Sequence, residues 1–345
     1  MRGGMKTAAV VAVAVLALSA CGGRSTSGGS ADDNKKSVKV GLAYDIGGRG
    51  DKSFNDAAFA GLEKAKSDLD VQIKDLSAKA NEPDSDKEER LRLLAKGGYN
   101  PIVAVGFAYA GPLEKVAGEF PDVKFAIIDG VVGAATNVSS LTFAEEQGSF
   151  LVGAAAALKS KSGNVGFVGG CLVPLIQKFD AGFAAGAKAV DPKITVQSKY
   201  LSTTGQNCSG FNDPAAGQTT ATGMYEAGAD VVFHAAGGSG GGVFKAAKAA
   251  GAQAIGVDSD QYLTAEPAVR DVILTSMLKR VDVAVFDFVK NEADGNFKSG
   301  IQVFDLKADG VGYSKSGGKV DDIASKLDDY KQQIIDGKIT VPTKP

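Results

Sequence analysis

The sequence predicts an α/β protein built as two doubly wound parallel-sheet lobes. From Val38 onward, short apolar, β-branched runs alternate with helical patterns, the pattern of a parallel sheet with crossover helices. The alternation comes in two consecutive sets of similar size that meet near "LTFAEEQGSF", residues 141–150. About 308 residues follow the N-terminal segment, enough for two lobes rather than one.

In the first set, strand "VKVGLAY" leads to a helix from Phe54, and strand "VQIKDL" to a helix after "DSDKEERLRLLA". Strand "PIVAVGF" leads to a helix near Leu113, and strand "VKFAIID" closes the set. In the second set, "NVGFVGG", "ITVQSKYL", "DVVFHAA" and "AQAIGVD" are strands, each followed by a helix. The helix after "YLSTTGQNCSGFN" starts at Asp213-Pro214, a favoured cap and first-turn pair. Strand "VILTSML", a helix from Val281, strand "IQVFDL" and an amphipathic helix over 321–335 end the chain. Ligands of such sheets bind beyond the carboxyl ends of the strands, which puts the site in a cleft between facing lobes.

The N-terminus reads as a processing segment. Arg2 and Lys6 precede eleven apolar residues from Ala8 to Leu18. That run is too short for a stable membrane span, and its flanks fit a secretory signal. "LSAC" then resembles a bacterial lipoprotein signal: residues 1–20 removed, lipid (palmitate) on Cys21. Residues 21–37, with "GGRSTSGGS", make a flexible tether.

Losing Arg2 and Lys6 takes the formal charge from −2 to −4. A mildly acidic chain with one histidine and no basic cluster argues against nucleic acid as ligand. Of the three cysteines, Cys171 and Cys208 remain after lipidation. In an exported protein such a pair is expected to form a disulfide, and it is too small a set for structural zinc.

Chemistry concentrates in "VGLAYDIGGRGDKSFNDAAFAGLEKA", residues 40–65. Phe54, Ala57, Ala58, Gly61, Leu62 and Ala65 make one apolar helical stripe. Ser53 with Asp56 resembles a capping box, so Ser53 reads equally as a cap and as a ligand contact. Asp45, at the end of the first strand, together with Phe54 and Asn55, offers an acceptor, a ring and an amide. Recognition of a flat polar ring with a hydroxylated appendage uses such groups.

"DIGGRGDKSFNDAAFAGL" resembles the signature of the basic membrane protein family of substrate-binding lipoproteins, whose studied members are similar to purine nucleoside receptors of ABC importers. In order follow "AVGFAY" (Ala104–Tyr109), "FAIIDG" (Phe125–Gly130), "GFVGGCLVPLIQKFDAGFAAG" (Gly166–Gly186), "FHAAGGSGGGVF" (Phe233–Phe244), "IGVDSDQ" (Ile255–Gln261) and "ILTSMLKRVD" (Ile273–Asp282).

The resemblance implies a type I periplasmic-binding-protein-like fold with hinge strands. Its N-terminal lobe would hold 38–142 plus about 277–303, and its C-terminal lobe 143–276 plus about 304–345. It implies Phe54 and Phe179 stacked on a purine, Asn55 and Asp129 at the base edge, Asp258 on the ribose hydroxyls, and Lys279 beside it. Asp45, Phe107, Gly237 and Gly238 would line the cleft. No cofactor and no metal are expected. The partners implied are a nucleoside, an ABC permease with its ATPase, and the membrane through the lipid anchor. The protein would act as a monomer on the extracytoplasmic face of the cell membrane.

Other readings stand beside these. Phe179 and Phe183 lie four apart on a helix; Phe183 is taken as core and Phe179 as cleft. Asp129 could cap the turn at Gly130. "AGGSGGG" lacks the Gly-Lys-Ser/Thr ending of a phosphate loop. His234 reads as a satisfied core residue. "RGD", residues 49–51, suggests a surface adhesin or signalling receptor, but three residues inside a longer motif carry little. An enzyme such as a nucleoside hydrolase would need a metal-held or base-activated water. Asp258 and Asp260 have no histidine to support them, and His234 is the only histidine.

Overall fold

The computed structural model describes residues 38–79, 82–204 and 207–345. The signal segment, Cys21 and the whole of the tether lie outside the described residues.

The first sheet begins with β1 (Lys39–Ala43), α1 (Phe54–Leu69), β2 (Gln72–Leu76), α2 (Asp84–Lys96) and β3 (Ile102–Val105). It continues through α3 (Ala110–Glu119), β4 (Phe125–Ile128) and β5 (Val138–Phe143). The chain then crosses to a second sheet through α4 (Glu145–Lys159), β6 (Asn164–Gly169), α5 (Pro174–Val190), β7 (Thr195–Tyr200), α6 (Pro214–Glu226) and β8 (Val231–Ala235). α7 (Gly240–Ala250), β9 (Gln253–Asp258), the short α8 (Gln261–Thr264) and β10 (Ile273–Lys279) complete that run. α9 (Val281–Ala293) and β11 (Gly300–Phe304) return to the first sheet, and β12 (Val311–Tyr313) and α10 (Ala324–Ile335) end on the second.

The strand orders are β11-β5-β4-β3-β1-β2 and β12-β10-β9-β8-β6-β7. All pairings are parallel except β10 with β12. Each sheet therefore reverses direction once near its middle, between β1 and β3 and between β6 and β8. Such switch points open a crevice at the carboxyl ends of the strands. The central strands are buried on both faces, so β1, β3 and β4 read as nearly unbroken apolar runs. The chain passes between the sheets three times, after β5, β10 and β11. Two of those exits are tied together where Phe143 and Phe304 stack at 5.2 Å.

Several elements differ from the sequence reading. "DSDKEERLRLLA" is itself α2 rather than its forerunner: Leu91, Leu94 and Ala95 are buried together with Arg90, whose guanidinium pairs with Glu82 and donates to the Tyr109 hydroxyl at 2.6 Å. β5 escapes pattern reading because Ser139 and Ser140 sit fully buried in its middle. The Ser140 hydroxyl is accounted for, accepting the Val132 N–H at 3.1 Å. α4 is apolar on most sides and shows no stripe, since it is wrapped by α5 and by the second sheet. Glycines set that helix pair. A Cβ on Gly186 would stand 1.9 Å from the Phe150 carbonyl, and one on Gly153 2.1 Å from that of Phe183. The last helix starts at Ala324, after a single 3-10 turn at Asp321–Ile323.

Candidate functional site

The loop after β1 is folded by its own carboxylates. Asp51 accepts backbone N–H groups from Ser53 (3.0 Å), Asn55 (2.8 Å) and Asp56 (3.1 Å), so it caps α1 from outside the helix. Asp56 accepts from Gly50 and Lys52, both at 2.9 Å. Ser53 holds the N-cap position without a side-chain cap bond. The expected capping box is thus replaced by Asp51, which frees the Ser53 hydroxyl to donate across the cleft to Asp258 Oδ2. The Asn55 amide is largely committed within the loop. Oδ1 accepts the Asp45 N–H at 3.2 Å, and Nδ2 donates to Asp51 at 3.1 Å and to the Ile46 carbonyl at 3.4 Å. One acceptor lone pair remains for a ligand. Asp45 packs on Gly106, where a Cβ would stand 2.0 Å from its Oδ2 and where φ is +103°. Only glycine fits there.

The RGD string is not presented as an adhesive tip. Its aspartate is spent on the cap, and Arg49 lies over the Phe59 ring at 3.4 Å.

Asp129 follows β4 and Asp258 ends β9, both with left-handed backbone at φ 63° and 62°. Such conformations in non-glycine residues concentrate at functional sites. Asp129 does not cap the Gly130 turn: its Oδ2 pairs with the Lys279 ammonium, while Oδ1 is buried with no hydrogen-bond partner. Lys279, at the end of β10 and 2% exposed, also lies 3.8 Å from Glu145. Its nitrogen stands 4.8 Å from the Phe54 ring centre and 5.6 Å from that of Phe179. Glu145 Oε2 accepts from Lys178 at 3.1 Å. The result is a buried Asp–Lys–Glu chain, ended by the partly exposed Lys178, where the strands leave the sheets.

A cavity partly open to solvent lies among these groups, and both lobes line it. Its walls include Asp45, Phe54, Asn55 and Phe107 after β1 and β3, Asp129 after β4, Phe179 on α5, Gly237 after β8, Asp258 and Lys279. Two residues singled out in the sequence are not on the wall. Ser53 lies behind Asp258. Gly238 lines a neighbouring depression with Gly50, Asp51 and Lys52. A Cβ on Gly238 would lie 3.5 Å from the Asn212 amide oxygen and 4.0 Å from Asp51 Cβ, ordinary contact distances, so the site does not require glycine there. Phe183 is fully buried against Phe167 and Phe233, at 6.4 and 5.4 Å between ring centres.

The wall also holds Asp51, Ile46, Leu175, Ile176, Ala235, Val257 and Phe211. Phe211 is the aromatic that the sequence reading missed. It sits in a 3-10 turn, Ser209–Asn212, without strand or helix periodicity. Its one signal was position, downstream of a strand's carboxyl end and beside Cys208. Cys208 is joined to Cys171 by a disulfide, which ties this segment to the end of β6.

Burial pushes Asp45 and Asp258 up to about 6, despite the Ile46 N–H bond at the first and the Lys279 charge near the second. Burial raises Glu145 as well, against the pull of Lys279. Burial works against the Lys279 ammonium, but Asp129, Glu145 and Asp258 outweigh it and hold its pKa above the ordinary value. His234 is core: fully buried, edge-on to Phe244 at 5.1 Å between ring centres, with the Gln261 side chain beside it pulling against the effect of burial. Burial lowers it to about 4. Among the described residues no group of three His, Cys, Asp or Glu could hold a metal ion, and no helix is long and apolar enough to cross a membrane.

A family model described as "ABC transporter substrate-binding protein PnrA-like" matches residues 37–344. A CD4+ T-cell-stimulating antigen of Listeria innocua is 36% identical, over 95% of this chain and 95% of its own. The ABC transporter nucleoside-binding protein BmpA of Lactococcus lactis is 33% identical, over 97% of both chains. Among solved structures, a solute-binding protein of an ABC transporter system from Aeropyrum pernix superposes with a TM-score of 0.77 at 30% identity. That match covers 89% of this chain and 93% of the other.

Proposed function

We propose, since this chain belongs to the Bmp family of PnrA-like ABC transporter substrate-binding proteins, that it captures a purine nucleoside in the cleft and presents it to the permease and ATPase of an importer. The observation that carries this reading is Asp129. A buried carboxylate oxygen with no donor, on the wall of a cavity rich in phenylalanine, calls for a ligand that supplies an N–H or O–H. The rings would hold a flat base between the lobes. Phe54 takes one face. The other lobe offers Phe179 and Phe211; Phe179 is only 2% exposed, so the partly exposed Phe211 shares the stacking given to Phe179 by the family resemblance. Asn55, through its remaining acceptor, and Asp129 face the base edge. Asp258 takes the sugar hydroxyls, with Lys279 as its cationic neighbour, and Asp45, Phe107 and Gly237 close the sides.

In this reading the N-terminal lobe comprises 38–142 plus about 277–303, and the C-terminal lobe 143–276 plus about 304–345, closing as a monomer over the ligand. Cys21 carries the lipid that keeps the protein on the extracytoplasmic face of the cell membrane. Cys21→Ser should remove the lipid-modified form from membrane fractions; a variant that stays membrane-bound would refute the anchor.

Mass spectrometry of the ligand that co-purifies with the chain, followed by calorimetry with inosine, guanosine and hypoxanthine, tests the site. Tight nucleoside binding with weaker free base is expected, and inosine should be recovered intact. Absence of binding to all three would sink the nucleoside reading.

A further inference from the structure

Ser259 and Gln261 of the "IGVDSDQ" segment are off the cavity wall, which takes only Val257 and Asp258 from it. Both reach the other lobe instead. The Ser259 hydroxyl donates to the Ser53 carbonyl at 3.1 Å, and Gln261 Nε2 donates to the Lys52 carbonyl at 3.0 Å. Gln261 is 3% exposed and anchored at its other end. Its Oε1 accepts the Val257 N–H at 2.9 Å, and its own N–H donates to Ser276 at 3.1 Å. Thr264 adds a donor 3.4 Å from the same Lys52 carbonyl. The receiving peptide is rigid, because Asp51 and Asp56 hold its N–H groups and Lys52 has left-handed backbone at φ 54°.

These donors meet the two carbonyls only when the lobes are together. Separating the lobes hands both partners to water, so each bond favours the closed arrangement without touching a ligand. A cleft protein's affinity contains the equilibrium between its open and closed forms. Side chains that favour closure therefore raise affinity by slowing release. The same clasp sets Ser53 against Asp258, so closing also orients a carboxylate on the cavity wall.

We propose that Ser259 and Gln261 are positioning residues, a clasp that grips the Lys52–Ser53 peptide and sets the lifetime of the closed protein. The clasp rests on lobe closure and not on which ligand fills the cleft. Gln261→Glu tests it directly. The variant keeps side-chain size and the acceptor for Val257, but turns an oxygen toward the Lys52 carbonyl in place of a donor. With inosine as the probe in stopped-flow binding, dissociation should be roughly tenfold faster, with association changed by no more than about twofold. Ser259→Ala should move in the same direction at an unchanged melting temperature, and Ser259→Thr, which keeps the hydroxyl, should restore the wild-type rate. Wild-type dissociation in both Gln261→Glu and Ser259→Ala overturns the clasp; if Gln261→Glu does not fold, the Ser259 pair decides. If the wild-type chain does not bind inosine, the nucleoside reading fails, and X-ray scattering of the chain alone judges the clasp. A larger radius of gyration for the clasp variants supports it, and superimposable curves overturn it.

Discussion

At the residue scale the cleft is defined by a few side chains whose ordinary partners are missing or shared. Phe54, Phe179 and Phe211 border one cavity while Phe183 packs in the core, and substitution should separate the two classes. Phe54→Ala and Phe211→Ala should each weaken inosine binding roughly tenfold to a hundredfold, since stacking a base on a ring is worth about 1–3 kcal/mol. Phe179→Ala should weaken it less, its ring being the least open of the three. Phe183→Ala should instead cost about 3–5 kcal/mol of folding stability. Calorimetry and thermal melting on the four variants check this, and wild-type affinity in both Phe54→Ala and Phe211→Ala defeats the ring sandwich. His234 supplies a separate test. Its imidazole titrates near 4 when folded against an ordinary 6.5, so the unfolded chain binds this proton more readily. Its contribution to stability is complete above about pH 6.5 and is lost as pH falls through about 4, a change of about 3 kcal/mol for a fully buried ring. His234→Leu should therefore flatten the acid side of the stability profile measured by urea unfolding from pH 7.5 to 4. An unchanged slope would show that the ring is solvated on a timescale the packing does not reveal.

At the element scale, legibility followed periodicity and strand ends. Asp45 could be singled out because it follows a recognisable strand, where parallel sheets place ligands; Asp129, Asp258 and Lys279 came from the family resemblance, and the structure puts each at or just after a strand end. Phe211 could not be singled out, because the chain between β7 and α6 has no period, and its course is fixed by tertiary contacts: the Cys171–Cys208 bond and the hydrogen bonds of Ser202 and Ser239 with Gly170 and Gly210. Asp51 was visible as one letter of a tripeptide and not as the cap of α1, since a carboxylate two residues before the N-cap position looks like any loop acid. β5 and α4 were hidden for opposite reasons, one carrying serines into the core and the other showing no polar face. The disulfide gives this scale its prediction. It spans a sequence separation of 37, and the loop-entropy account assigns such a closure about 3–4 kcal/mol. The double variant Cys171→Ser, Cys208→Ser should lose stability of that order. It should also bind inosine more weakly than its melting temperature alone explains, because the Phe211 turn is then held to the end of β6 only by the hydrogen bonds through Ser202. Unchanged affinity in the folded double variant would show that the hydrogen bonds of Ser202 and Ser239 and local packing suffice to position the turn.

At the scale of the whole molecule, two sheets with the same strand order face each other through their switch points, and protons link the cleft between them to the fold. Asp45 and Asp258 titrate near 6 against an ordinary 3.8 because burial penalises their charge. The folded chain therefore takes up these protons before the unfolded chain does. Ionising the pair costs stability, fully so above about pH 6, and the cost is relieved as pH falls toward 3.8, opposite in sign to His234. Ligand binding should depend on pH in yet another way. An ionised Asp258 accepts sugar hydroxyls through charge-assisted bonds, which are shorter and stronger than neutral ones, so a nucleoside favours the deprotonated cleft. Inosine affinity should be level above about pH 6.5 and fall below 6 by up to tenfold per pH unit for one linked proton. Fold stability over the same interval follows the balance of His234 against the two aspartates. Asp258→Asn should bind more weakly at neutral pH and show a shallower decline, having lost one titrating partner, while hypoxanthine, which lacks the sugar, should show little of the Asp258-linked slope. Calorimetry of the wild type and this variant at pH 7.5, 6.5, 5.5 and 4.5 measures all of it. Parallel slopes for the two proteins would move the linked proton away from Asp258, to Asp45 or to the buried Glu145 beside Lys279.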